Sequence, residues 1–179
     1  MFNLFKSKKF DPQKIIKAKD AKALCKLNCE DFNELAITLV YDYYLDIKFE
    51  SLNADQKTLF LCMSVEASCQ ADGILSLLED ENVFFALPEA VDELLKISSP
   101  ITAKALDRFI DLMPKGTFEN RVMPEYEWFS ENAEREEAVE NIEAEITEYP
   151  DGHTCELLWK YFASSIDRAK SLIDVKSKD

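Results

Sequence analysis

Apolar residues recur at intervals of three and four along most of this 179-residue chain, and that spacing limits the fold more than any other feature. An α-helix has about 3.6 residues per turn, so such a run places its apolar side chains on one face. No segment alternates apolar and polar residues in the way that predicts a strand. The sequence therefore predicts an all-α fold. The clearest run lies between residues 31 and 48 and consists of Phe32, Leu35, Ala36, Leu39, Val40, Tyr43 and Tyr44.

Capping residues and prolines predict where the helices begin and end. Asp11-Pro12 and Ser99-Pro100 each resemble an N-cap followed by proline in the first helical turn. Asn53 resembles a further N-cap, Gly73 interrupts the helix that follows it, and Ser130 is predicted to cap the helix after residue 130. A loop is expected over residues 114–124. The predicted helices cover residues 11–28, 31–48, 53–72, 88–97, 99–113, 130–149 and 153–173.

The length of the chain predicts one domain, because a single core of this size is well formed and two would each be small. We expect a bundle of about six to eight helices over residues 11–173. Residues 1–10 are predicted to be a flexible arm that is both basic and apolar, and residues 174–179 a loose C-terminus. The chain starts without the apolar segment of a signal peptide, and no stretch approaches the roughly 20 apolar residues of a membrane span. The number of cysteines is odd and no secretory signal is expected, so we expect the protein to lie in the reducing cytoplasm.

Acidic residues are concentrated in residues 119–151, where twelve of them face only two arginines. This segment carries a net charge of −10, out of −14 for the whole chain. The charge argues against binding to nucleic acid or to anionic membranes, and it favours a basic protein as the partner. The segment is either a binding face for that partner or a solvated helix face. The candidate binding residues are Glu134, Glu136, Glu137, Glu140, Glu143 and Glu145, with Glu79, Asp80 and Glu81 as a second patch.

Residues that could perform catalysis or hold a metal are sparse. His153 is the one histidine, so a Ser-His-Asp or Cys-His mechanism would have to use it. Cys25 and Cys29 are four residues apart, and His153 with Cys155 could complete a tetrahedral zinc site, but the C-x-x-C spacing is absent. The chain contains no glycine-rich phosphate loop, no GxSxG and no HExxH. We therefore expect neither enzymatic activity nor a metal or cofactor.

The central segment, residues 58–114, has a particular order of features. A helix carrying Glu66 and Gln70 leads into a turn at Asp72-Gly73-Ile74, and helices over residues 89–97 and 102–113 follow. This order resembles the bacterial DNA-mimic protein family, a small acidic helical domain of otherwise unknown function, although the family has an Asn-Gly-Gly-aromatic turn where this chain has one glycine. The resemblance implies an all-helical single domain, commonly dimeric, with no catalytic residues. Its best-known member presents carboxylates in place of DNA phosphates to a transcription factor.

Charge and resemblance together predict an acidic module that occupies a basic surface of a partner protein, as a DNA mimic when that partner is a DNA-binding protein. The alternative is an immunity-type or regulatory protein that neutralises a basic toxin or enzyme. Such a neutraliser would add apolar anchors, for which Trp128 and Phe129 are the candidates. A third class, an enzyme or metal protein, would depend on His153.

Overall fold

The computed structural model describes residues 10–45 and 47–175, and every regular element in these two ranges is a helix. The all-α prediction is therefore confirmed. Eight of the α-helices described there have seven or more residues. A π-helix (Val40–Tyr44) and two 3-10 helices (Phe49–Ser51 and Ile74–Glu79) lie between them. The α-helices are α1 (Pro12–Ala18), α2 (Ala21–Leu24), α3 (Cys29–Leu39), α4 (Ala54–Ala71), α5 (Glu81–Phe85), α6 (Leu87–Lys96), α7 (Pro100–Asp111), α8 (Thr117–Asn120), α9 (Glu127–Ser130), α10 (Ala133–Thr147), α11 (Thr154–Ala163) and α12 (Ile166–Leu172).

Helix α4 forms the centre of the fold, because it is the longest helix described and is apolar on more than one side. Helices α6, α10, α11 and α12 all pack against it. Asn53 caps it as predicted: Asn53 Oδ1 accepts a hydrogen bond from the Gln56 N–H, and Gln56 Oε1 accepts one from the Asn53 N–H, each at 3.0 Å. The side chains that α4 buries include Thr58, Leu59, Phe60, Leu61, Cys62, Val65 and Cys69.

Two predicted helices are divided in the structure, because a polar residue caps a new helix inside each predicted span. The helix predicted to reach residue 28 ends at Ala18, and Lys19 adopts a left-handed φ of 48°. Asp20 Oδ1 then accepts a hydrogen bond from the Ala23 N–H at 3.0 Å and starts α2. The predicted C-terminal helix is interrupted between α11 and α12, and Ser165 is the N-cap of α12. Both segments are helical as predicted, but the prediction that each forms one continuous helix was wrong.

The acidic helix α10 begins at Ala133, three residues after the predicted cap. Ser130 instead ends α9, where its hydroxyl donates a hydrogen bond to the Glu127 carbonyl at 3.3 Å. Asn132 is the N-cap, because its Oδ1 accepts a hydrogen bond from the Arg135 N–H at 3.0 Å. The prediction of Ser130 was wrong because residues 127–130 form a helical turn of their own, which leaves the capping position to Asn132.

The start of α7 is capped by a residue about fifty positions away. Pro100 opens the helix as predicted, but the Ser99 side chain makes no cap hydrogen bond to the helix. Asp151 Oδ2 instead accepts hydrogen bonds from the Ile101 N–H at 2.7 Å and the Thr102 N–H at 3.0 Å, and the Ser99 hydroxyl also donates to it at 3.2 Å. One carboxylate of the acidic segment therefore has a structural role at a helix N-terminus.

The C-terminal end of the described chain lies close to its N-terminal helices. The Lys19 ammonium contacts the Asp174 carboxylate at 2.6 Å, and the side chain of Val175 is buried. Of the arm predicted over residues 1–10, only Phe10 is described, and it packs partly buried against the core; the rest of the arm and residues 176–179 lie outside the described residues. In the described part of the chain, no helix is both long enough and apolar enough to cross a membrane.

Candidate partner-binding surface

Helix α10 has an apolar face toward the core and an acidic face toward solvent. Val139, Ile142 and Ile146 are buried where the helix packs on α4 and α7. Four carboxylates on its first two turns are exposed, and none of them forms an ion pair or accepts a hydrogen bond within residues 10–45 and 47–175. They span about 9 Å along the helix axis. These residues are Glu134, Glu136, Glu137 and Glu140, named here the exposed acidic face.

Glu143, a predicted binding residue, instead contacts the turn after α4. Its Oε2 accepts a hydrogen bond from the Ile74 N–H at 2.8 Å, where the 3-10 helix Ile74–Glu79 begins. Gly73 makes this contact possible, because a Cβ at that position would lie 2.6 Å from Glu143 Oε2. The half-buried Glu143 carboxylate therefore connects α10 to α4, and we do not include it in the exposed acidic face.

Glu145 is also occupied within the fold. It forms an ion pair with Arg108 of α7, and its side chain is half-buried. The pair lies between α7 and α10, which pack against each other. The structure thus separates the six predicted carboxylates of α10 into four that face solvent and two, Glu143 and Glu145, that hold the helix to its neighbours.

The second predicted patch is divided in the same way. Asp80 caps α5, because its Oδ1 accepts hydrogen bonds from the Asn82 N–H at 2.9 Å and the Val83 N–H at 3.3 Å. Glu79 is exposed and accepts a hydrogen bond from the Tyr126 hydroxyl at 3.3 Å. Glu81 is exposed and lies 3.8 Å from Arg121, close enough for a weak surface ion pair. Of the three, only Glu79 and Glu81 remain available to a partner.

The apolar anchors predicted for a neutraliser are packed inside the fold. Phe129 is buried and its ring stacks on that of Phe109, with centroids 5.9 Å apart. Trp128 is half-buried and donates a hydrogen bond to the Leu112 carbonyl at 3.0 Å. The Arg135 guanidinium covers the Trp128 ring at 3.7 Å. The prediction of an apolar anchor is therefore wrong for Phe129, which is buried, whereas Trp128 is held by Leu112 and Arg135 and stays partly exposed.

A groove of about 770 Å³ lies between α3, α4 and α11. Its rim carries apolar surface, since the side chain of Tyr41 is 59% exposed and that of Ile37 is 42% exposed. Sequence reasoning missed this groove because its walls come from three distant segments of the chain. The lining residues are Cys29, Asn33, Ile37, Tyr41, Met63, Glu66, Ala67, Gln70, Tyr149, His153, Cys155, Glu156 and Trp159.

The one signal for the groove in the sequence is the group of three tyrosines at positions 41, 43 and 44. The fold uses two of their hydroxyls: Tyr43 donates to Gln13 Oε1 and Tyr44 donates to the Leu172 carbonyl, each at 2.6 Å. Tyr41 is left at the groove rim. Periodicity alone cannot separate these three residues, because they are consecutive or nearly so on one helical turn.

Glu66 is the half-buried acid of the groove. Gln70 Nε2 donates a hydrogen bond to Glu66 Oε1 at 3.2 Å and also contacts the Tyr149 hydroxyl. Burial raises the pKa of the Glu66 carboxyl, while the Gln70 hydrogen bond, the charge of His153 and hydrogen bonds from Thr154 act in the opposite direction. The net effect is a carboxylate that is partly removed from water.

Two cysteines, Cys29 and Cys155, line the groove together with His153. Cys29 Sγ and Cys155 Sγ are 3.9 Å apart, and burial together with the Cys29 neighbour raises the pKa of Cys155 to about 12. A thiol with that pKa is protonated at neutral pH, whereas the thiolate is the nucleophile and the metal ligand. Among the described residues, no three His, Cys, Asp or Glu side chains converge on a position where they could hold a metal ion.

A comparison with protein-family models matched residues 50–165 to the model described as DMP19-like protein. The match extends well beyond residues 58–114, which carried the resemblance in the sequence, and it includes all of α10. A comparison with curated proteins and a comparison with solved structures each found no match. Because the matched residues make up more than half of the chain, this protein belongs to the DMP19-like family of DNA mimic proteins.

Proposed function

We propose that this protein binds a basic surface of a DNA-binding protein, and that the exposed acidic face stands in for DNA phosphates on that surface. The observation that carries the proposal is that four neighbouring carboxylates of α10 lack a cationic partner within the described part of the chain. Like charges three or four residues apart destabilise a helix by a few tenths of a kcal/mol per pair. A cationic partner would remove that repulsion.

The spacing of the carboxylates supports the comparison with DNA. Residues three or four apart on a helix have Cβ atoms about 5 to 6 Å apart. Phosphates of one DNA strand are spaced by about 3.4 Å along the helix axis. Four carboxylates over about 9 Å of α10 therefore give a comparable density of negative charge on a rigid support. Membership of a family of DNA mimic proteins supports the same function.

We further propose that the protein acts by binding and not by catalysis. The raised pKa of Cys155 supports this, because it withholds the thiolate that a Cys-His mechanism would need. From the family resemblance we also propose that the binding form is a homodimer. Sedimentation equilibrium of the purified protein measures that state directly, and a monomer at micromolar concentration would contradict it.

A capture experiment tests the proposed function. The wild-type protein is immobilised, exposed to native lysate at low salt and then washed with a short DNA duplex. We expect the duplex to release a DNA-binding protein, because both ligands occupy one basic surface. A variant that reverses three charges should capture much less of it. The substitutions are Glu136→Lys, Glu137→Lys and Glu140→Lys.

A control variant separates a local effect from a loss of overall charge. It reverses three exposed acids on α3, on the 3-10 helix Phe49–Ser51 and on α12, so its net charge equals that of the first variant. We expect this control to capture the partner nearly as well as the wild type. Equal capture by all three proteins, or a partner that duplex DNA does not release, would contradict DNA mimicry; the second result would favour a neutraliser of a basic toxin or enzyme. The control substitutions are Glu30→Lys, Glu50→Lys and Asp167→Lys.

A further inference from the structure

We infer that the groove between α3, α4 and α11 is a socket for one arginine side chain of the basic partner, whose guanidinium pairs with Glu66. The inference rests on the proposed function, because it describes the same partner in more detail. A surface that binds DNA presents arginine side chains. The groove then supplies an anchor that the exposed acidic face, which is a row of solvated carboxylates, does not.

Glu66 is the acid in this groove that forms no ion pair within the described residues. Two carboxylates line the groove, and Glu156 already faces the Lys160 ammonium at 2.8 Å. Glu66 accepts hydrogen bonds from the neutral amide of Gln70 and from Thr154, and the described lining residues include no lysine or arginine. His153 lines the groove and its charge acts on Glu66, but the two side chains form no ion pair. A carboxylate that is partly removed from water gains more from a guanidinium than a fully solvated one, because a charge-assisted hydrogen bond is stronger there.

The walls of the groove suit the remainder of an arginine side chain. Tyr41, Ile37 and Met63 provide apolar surface for the three methylene groups, which arginine buries readily while its charged end is solvated or paired. The rings of Tyr149 and Trp159 line the same groove. A planar guanidinium stacks on aromatic faces and is more weakly hydrated than an ammonium, so arginine fits better than lysine.

Other occupants fit the groove less well. A purely apolar side chain would bury the Glu66 carboxylate further without a hydrogen bond, and that desolvation is unfavourable. A phosphate or carboxylate would be repelled by Glu66 and by Glu156. A cation with an apolar stem is the chemistry that satisfies both the walls and the charge.

The groove lies next to the C-terminal end of α10, the helix that carries the exposed acidic face. Tyr149 lies two residues after the end of α10, and Gln70 contacts its hydroxyl at the groove. Thr147, the last residue of α10, is seven positions after Glu140, which is about 10 Å at the helical rise. A protein–protein interface of standard size covers about 800 Å² on each partner, and we expect one partner to contact both surfaces.

The test uses N-acetyl-arginine methylamide as the probe and N-acetyl-citrulline methylamide as its neutral isostere. Both are titrated into the isotopically labelled wild-type protein, and the two indole N–H signals are followed by NMR. We expect the arginine probe to shift the Trp159 signal in a saturable way and the Trp128 signal little, since Trp128 does not line the groove. Citrulline should cause less than about one tenth of the shift, because it lacks the charge that pairs with Glu66.

Two variants identify the carboxylate responsible. Glu66→Gln should abolish the saturable Trp159 shift, whereas Glu156→Gln should keep it, because Glu156 is already paired with Lys160. Burial raises the pKa of Glu66, so the ionised side chain costs free energy of folding at pH 7, and Glu66→Gln should melt at no lower a temperature than the wild type. An equal response to arginine and citrulline, or an unchanged response in Glu66→Gln, would overturn the socket. The comparison of arginine with citrulline is made on the wild-type protein, so it tests the socket even if Glu66→Gln does not fold.

The socket and the proposed function fail in different ways. The variant carrying Glu136→Lys, Glu137→Lys and Glu140→Lys should still bind the arginine probe at the groove, although it should lose the captured partner. With that partner in hand, Glu66→Gln should weaken binding by at least about tenfold, as removal of one member of an interfacial charge pair does. Probe binding without any DNA-binding partner would leave the socket standing and refute DNA mimicry. A captured DNA-binding partner with no response of the Trp159 signal to the arginine probe would support DNA mimicry and overturn the socket.

Discussion

Gly73 is placed so that the backbone of the turn after α4 can approach a side chain of α10. Its φ of +85° is strained for any residue with a Cβ, and the Ile74 N–H that follows it donates to Glu143 Oε2 at 2.8 Å. Glu143 thus satisfies a backbone donor at the start of the 3-10 helix Ile74–Glu79. One glycine and one glutamate thus add a polar contact between α10 and the end of α4 to the apolar packing of the two helices.

We predict that Gly73→Ala lowers the free energy of unfolding by about 1 to 3 kcal/mol. Alanine at this position would have to keep a positive φ, which strains a residue with a Cβ. Its Cβ would also lie 2.6 Å from Glu143 Oε2, so the hydrogen bond of Glu143 would be lost as well. Urea unfolding followed by far-UV circular dichroism measures the change.

Gly152→Ala is the matched control for that prediction. Gly152 also has a positive φ, of 103°, but a Cβ there would have no neighbour within 4 Å. The control should therefore show the backbone strain without the steric contact, and its loss of stability should be smaller. Equal losses in the two variants would mean that the contact with Glu143 contributes nothing.

At the scale of the element, α7 depends on a residue that lies beyond the end of α10. Asp151 accepts hydrogen bonds from the Ile101 and Thr102 N–H groups, which are among the donors left unsatisfied at the start of a helix. Its negative charge also lies at the positive end of the helix dipole. The chain that joins α10 to α11 thereby holds the N-terminus of α7.

We predict that Asp151→Ala lowers the free energy of unfolding by about 1 to 2 kcal/mol, the usual effect of removing an N-cap. Ser99→Ala should have the smaller effect, because Ser99 donates one hydrogen bond to Asp151 and makes none to the helix backbone. Thermal and urea unfolding of both variants decide the order. A larger loss for Ser99→Ala would restore Ser99 as the cap that its position before Pro100 predicts.

At the scale of the whole molecule, the net charge of −14 acts over a longer range than any single contact. Most of that charge lies in residues 119–151, so the negative electrostatic field is strongest near this segment. The N-terminal residues carry many lysines, but residues 1–9 lie outside the described residues. A field of this sign speeds encounter with a basic partner and depends on ionic strength.

We predict that association with the captured partner slows by at least about tenfold between roughly 50 mM and 500 mM salt, while dissociation changes less. Surface plasmon resonance with immobilised protein measures both rates. The variant with Glu30→Lys, Glu50→Lys and Asp167→Lys should keep most of the salt dependence if the exposed acidic face dominates the encounter. A rate that does not respond to salt would show that apolar contacts alone bring the proteins together.

The sequence by itself determined the fold class and most helix positions, because helical periodicity, caps and prolines are local features. The family was indicated separately, by the resemblance over residues 58–114, and the match over residues 50–165 shows it. It determined correctly that Asn53 caps α4 and that Pro100 opens α7. It overestimated helix length at Lys19 and Ser165, since periodic apolar residues continue through both breaks while the backbone does not.

Tertiary structure alone decided which acids are free. Glu140 and Glu143 look alike in sequence, yet one faces solvent and the other meets the turn at Gly73. Glu145 depends on Arg108, and the groove depends on residues from α3, α4 and α11. These pairings are set by which helices pack together, and that choice depends on contacts between distant segments that no local pattern contains. Sequence therefore determined how much acidic charge the chain carries, and packing decided which part of it is left for a partner.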